Sequence, residues 1–126
     1  MKRITAFLSV SVFILIGVGC EQNAAPATPG APVGPGVGMS GDSLTFLVAT
    51  TDPESDSVRY RLDWGDALGD WSRLFASAES CTVGHRWFVR DTYAIRVQAE
   101  DVHGSASEWS ADHVVSIESL CRLSRP

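Results

Sequence analysis

Two acidic stretches hold most of the side chains here that could do chemistry. "TDPESD" places Asp52, Glu54 and Asp56 at alternate positions, and "DWGDALGD" carries Asp63, Asp66 and Asp70. Glu100 and Asp101 follow later, at the end of an apolar run. Carboxylates at this density are hard oxygen donors of the kind calcium collects, six to eight per ion, although the spacing is not that of an EF-hand loop. Acid–base catalysis would instead need one carboxyl with a raised pKa beside one without, and a solvent-facing turn offers no means of separating them. His85, His103 and His113 lack the short spacings of a zinc site. The chain has no Gly-x-Ser-x-Gly, no phosphate-cradling glycine loop and no Cys-x-x-Cys. No residue is assigned a catalytic role, and the expectation is a protein that is not an enzyme.

The elements that must position these residues are strands. "VRYRLDW" puts Val58, Tyr60, Leu62 and Trp64 on one face and Arg59, Arg61 and Asp63 on the other. "YAIRVQAE" repeats the pattern, with Tyr93, Ile95, Val97 and Ala99 facing inward. "LTFLVAT" and "HVVSIES" are further strands, and "WSRLF" (71–75) and "CTVGHRW" (81–87) are weaker ones. A period of two over short runs, broken by Gly, Pro, Asp and Ser clusters, predicts an all-β antiparallel sandwich of about seven strands, immunoglobulin-like in size. The turn chemistry of "WGD" follows from the same pattern. Trp64 ends an inward row, Gly65 turns the chain, and Asp66 accepts hydrogen bonds.

Ahead of these strands the chain opens "MKRITAFLSVSVFILIGVGC", a basic pair followed by an uncharged run from Ile4 to Gly19. That run is short for a membrane span and fits an export signal. The expected organisation is a signal peptide over 1–19, a Pro/Gly-rich flexible spacer over 20–41, a sandwich over 42–119 whose first edge strand starts as early as residue 32, and a C-terminal tail over 120–126. Without the signal, eight arginines face 15 acidic residues, a net charge of −7, and no basic patch remains. That excludes nucleic acid as an expected partner. In an oxidising compartment Cys81 and Cys121 could pair, closing about 41 residues for roughly 4 kcal/mol in the chain-entropy model, although spacing alone does not establish a disulfide.

The residues also carry resemblances. The N-terminus resembles a bacterial lipoprotein signal with Cys20 as the lipidated residue, departing from it at Gly17, where an aliphatic residue is usual. This implies attachment to a membrane of a bacterial cell envelope, periplasmic or surface-exposed. Glu21, in place of an aspartate, favours the outer membrane. "TDPESDSVRYRLDWGDA", "HRW" and "TYAIRVQAEDVHGSASEWS" resemble the PKD-like, immunoglobulin-type modules of bacterial surface proteins over about Pro32 to Ile117. The usual Gly-Asp-Gly turn is Gly65-Asp66-Ala67 here, and "SEWS" also resembles fibronectin type III domains. In such a fold the 52–56 loop neighbours the loop after Glu100, so Asp52, Glu54, Asp56 and Asp101 become a candidate calcium set. Of the four tryptophans, Trp64 and Trp87 are expected in the core, while Trp71 and Trp109 sit at element edges, where they could stack on sugars or anchor a partner. The expected function is a non-enzymatic envelope lipoprotein that offers its sandwich for protein contact, adhesion or spacing, its partner an envelope protein or a polysaccharide. The alternatives are a carbohydrate-binding module and a calcium-rigidified spacer.

Overall fold

The computed structural model describes residues 23–119, so the signal peptide, Cys20 and Cys121 lie outside the described residues. Six strands follow in order: β1 (Val37–Met39), β2 (Ser43–Val48), β3 (Val58–Asp63), β4 (Cys81–Arg86), β5 (Asp91–Asp101) and β6 (His113–Glu118). They form a four-stranded sheet in the order β1-β6-β5-β3 and a two-stranded sheet of β2 and β4. β1 runs parallel to β6, and the other pairs are antiparallel. No helix occurs among the described residues, and the all-β immunoglobulin-like sandwich is the observed architecture.

Alternation along the strands builds the core. Val58, Tyr60 and Leu62 of β3 and Tyr93, Ile95, Val97 and Ala99 of β5 turn inward, and Phe46, Val48 and Cys81 meet them from the second sheet. Trp87 lies at the centre with none of its surface exposed. Its indole stacks on Tyr93 at 5.4 Å, meets Trp64 and Phe46 edge-on, and donates from Nε1 to the Trp64 carbonyl at 3.2 Å. That bond lets a polar N–H sit in the core without penalty. Both expected core tryptophans are therefore core.

Segment 71–75, expected as one of the two weaker strands, does not form a regular one. It follows the open edge of β3, with Gly69 N–H to Leu62 O, Ser72 N–H to Tyr60 O, and a reciprocal pair between Phe75 and Val58. Ser72 adds its Oγ as acceptor for the Tyr60 N–H. A side-chain oxygen thus stands where a strand carbonyl would, which seals the edge without strand geometry.

Of the stretch expected as a flexible spacer, residues 23–31 lie on the sandwich, and the edge pairing expected from about residue 32 is present at Val33 and in β1. Pro26, Pro29 and Pro32 are buried, Val33 exchanges both backbone hydrogen bonds with Leu47, and Ala27 N–H reaches Thr51 O. Proline costs little here because a segment at a sheet edge needs only part of its N–H groups. Gly34 lies so close to β2 that a Cβ would fall 2.4 Å from Phe46 Cδ1 and 2.7 Å from Thr45 O. Composition signalled disorder, but the small residues serve close packing instead.

Gly34→Ala is therefore expected to destabilise the fold by about 1–3 kcal/mol through overpacking, measured by urea unfolding. A free spacer would tolerate the change without effect. Gly65→Ala should cost a similar amount, because Gly65 has φ of 87° and a Cβ there would meet the Tyr93 Cβ at 3.2 Å.

Candidate functional site

The strands bring three carboxylates together at one pole of the sandwich. Asp52 opens the β2–β3 loop and Asp101 closes β5, and with Asp56 their ligand oxygens lie within 4.8 Å of one another. Each of the two buried aspartates divides its labour. Asp52 Oδ1 accepts the N–H groups of Glu54 at 2.9 Å and Asp56 at 3.2 Å, folding the loop around Pro53. Asp101 Oδ1 accepts those of His103 at 2.9 Å and Ser105 at 3.0 Å, shaping the turn to Gly104. These are the local hydrogen-bonded turns that short acidic side chains favour. Asp101 Oδ2 accepts from Asn23 Nδ2 at 2.6 Å, and Asp52 Oδ2 is buried with no hydrogen-bond partner.

Of the expected calcium set, the structure brings together Asp52, Asp56 and Asp101 and leaves Glu54 aside, its carboxylate accepting from Ala24 N–H at 3.3 Å. Glu100 turns to the outer sheet face and pairs with Arg59 at 2.6 Å. The residue that sequence reasoning missed is Asn23. It lies in the Pro/Gly-rich stretch, 78 positions from Asp101, and donates both to that carboxylate and to Ser105 Oγ. Nothing in its local sequence marks it.

Electrostatically the pole is under-compensated. His103 reaches Asp56 at 3.4 Å, but Asp52 is only 5% exposed and Asp101 only 2%. For Asp101, burial works to raise the carboxyl pKa. The hydrogen bonds from Asn23, Ser105 and His103, with the His103 charge, outweigh it and hold the pKa below the ordinary value. An orphaned buried oxygen beside two further carboxylates is a donor set that a hard divalent cation fits.

The acidic turn at the opposite pole is occupied structurally. Asp63 Oδ1 accepts from Gly65 N–H at 3.0 Å, and Asp66 meets His85 Nε2 at 3.0 Å. The His85 ring stacks on Trp64 at 4.6 Å. The pair ties the end of β3 to β4, joining the two sheets.

Trp71 and Trp109 share the outer face of β3 and β5. Arg61 lies over both rings, at 4.6 Å and 5.8 Å, Arg59 over Trp71 at 5.3 Å, and Arg96 over Trp109 at 4.9 Å. Arg59 and Arg96 are also ion-paired, to Glu100 and Asp63. Serines pin the adjoining segments, with Ser107 and Ser110 each offering both N–H and Oγ to the edge of β5. The rings are half-buried and carry guanidinium groups over them, an arrangement suited to clamping edge segments. Cys81 is buried, and its expected partner lies outside the described residues.

No family model and no curated protein matches the chain. Among solved structures it is similar to the PKD domain of an M14-like peptidase from a Thermoplasmatales archaeon, at 31% identity and a TM-score of 0.71, covering 77% of this chain and 99% of that one. It is also similar to a CARDB domain from Pyrococcus furiosus solved in complex with di-metal ions, at 12% identity and a TM-score of 0.55, covering 79% of this chain and 99% of that one. The second likeness is one of fold.

Because the folded Asp101 carboxyl has a lowered pKa, its stabilisation is complete above the ordinary carboxylate range and is lost as pH falls through the lower folded value. Asp101→Asn should cost about 1–3 kcal/mol at pH 7, by weakening the hydrogen bonds it accepts. In urea unfolding the gap between variant and parent should narrow below about pH 4.

Proposed function

We propose that this chain, which belongs to the PKD-domain family, is a non-enzymatic envelope lipoprotein that offers its sandwich for contact and adhesion and is stiffened at one pole by calcium. The observation that carries the reading is Asp52 Oδ2, buried without a partner beside Asp56 and Asp101. A protein interior does not leave a carboxylate oxygen unsatisfied without cost, and a cation would remove that cost. Asp52, Asp56 and Asp101 would hold the ion, and the Asn23 amide, which donates from Nδ2 to Asp101 Oδ2, would brace that carboxylate. The ion would supply charge neutralisation and cross-link the two loops.

The anchoring proposed at Cys20 gives the pole a direction. The three-residue step from Cys20 to Asn23 spans at most about 11 Å. Lipidation there would hold the acidic pole near the membrane and point the His85–Asp66 pole away from it. The long Pro/Gly stretch would then not lift the domain, since most of it is folded onto the sandwich. The family relationship supports a non-catalytic module. The Trp71–Arg61–Trp109 stack favours a structural clamp over a sugar platform, so the carbohydrate reading ranks second.

Thermal melts with calcium and with chelator test the proposal. At a free concentration about 100 times the dissociation constant, calcium should add roughly 2.7 kcal/mol of stability, and Asp52→Asn should abolish that gain. Equal midpoints with and without calcium, in a parent chain that melts cooperatively, would refute the cation site.

A further inference from the structure

Three of the four sheet edges are short or covered. β1 is three residues long and follows Pro35 and Gly36, the 69–75 segment covers β3, and Val33 pairs with β2. β4 is different. Leu47 gives both its backbone groups to Val33, so Leu47 and Thr82 form a non-hydrogen-bonded pair across β2 and β4. By alternation, the N–H and C=O groups of Thr82, Gly84 and Arg86 point away from β2. All three residues are exposed. The three atoms nearest to a Cβ at Gly84 would all belong to β2, the closest at 3.6 Å. The edge has no proline and no bulge within its six residues, the devices that usually blunt one.

We propose that this edge binds a second copy of the same chain, antiparallel, about a two-fold axis at Gly84. The register is self-complementary. Gly84 faces Gly84 of the other copy and Thr82 faces Arg86, so every outward group meets an outward group and the arginines are not opposed. A strand edge alone buries too little for a stable dimer, and a knob and a hollow supply more. Phe88 is 73% exposed, and continuing the pairing two residues past the end of β4 sets residue 88 opposite residue 80 of the other copy, just ahead of its β4. There a hollow of about 300 Å³ is lined by Ala31, Val33, Leu47, Ala49 and Ser80. Each copy thus carries one exposed aromatic ring and one small apolar hollow at matching positions. Antiparallel pairing also turns the two acidic poles in opposite directions. With the membrane attachment of the proposed function, on which this consequence rests, paired copies are anchored to facing surfaces.

Cysteine cross-linking of the detergent-solubilised full chain tests the pairing. Hydrogen-bonded partners in an antiparallel ladder have Cα atoms about 5.5 Å apart, within disulfide reach. Gly84→Cys should give an oxidised dimer at least about tenfold more abundant than Thr82→Cys, whose two copies would sit roughly 14 Å apart. Phe88→Asp should reduce the Gly84→Cys dimer. A second arm covers poor folding of the glycine variant, with Thr82→Cys and Arg86→Cys cross-linking when mixed and neither doing so alone. Monomer throughout, or equal cross-linking at all positions, overturns the pairing. Dimer in detergent without cross-linking between two vesicle populations overturns the facing-surface consequence and leaves the pairing intact.

Discussion

The sandwich depends on covering the inward rows of β3 and β5. Those rows present Val58, Tyr60, Leu62, Tyr93, Ile95, Val97 and Ala99 along one face of the larger sheet. The opposing sheet has only two strands, too narrow to cover that face alone. The deficit is made up by Trp87 at the centre and by the proline-rich segment laid along β2. Burying a side chain as large as Trp87 is worth several kcal/mol, since its truncation in a core costs about 3–5. The same ring fixes the spacing of the sheets through Trp64, Tyr93 and Phe46.

Once the N-terminal segment is needed as a cover, the character of the acidic pole follows. The segment must cross the loops that open β3 and close β5, and there Asn23 meets Asp101. The turns use one oxygen from each buried aspartate; of the others, Asp101 Oδ2 accepts from Asn23 and Asp52 Oδ2 has no hydrogen-bond partner. Shaping the loop therefore does not use up the Asp52 carboxylate. The opposite pole shows the contrast, where Asp66 and Asp63 are engaged by His85, Gly65 N–H and Arg96.

Much of this was legible in the chain. The alternation in β3 and β5 named the core rows residue by residue; Trp64 followed from its place at the end of the β3 row and Trp87 from its place ahead of the Tyr93 strand. The acidic pole was partly legible, because the resemblance to PKD-like modules placed the two loops side by side. Glu54 was misplaced, since spacing cannot say which of three alternate carboxylates turns away. The Pro/Gly stretch misled for a physical reason. Small residues lower the cost of disorder, yet they also permit the close approach seen at Gly34, and composition does not separate the two. Asn23 was invisible because its partner lies 78 positions away. The outer Trp–Arg stack needed the packing of segments whose own patterns are weak.

The central claim is that residues 27–39 belong to the folded module and are not a free linker. Hydrogen exchange of the Val33 amide tests it most directly, because that N–H bonds to Leu47 O at 2.9 Å, at the edge of the second sheet. The account predicts slow exchange at Val33, at a rate close to that of the Leu47 amide, which bonds back to Val33. Exchange at the rate of an unstructured chain, while the Val97 amide in the core sheet stays protected, would contradict it.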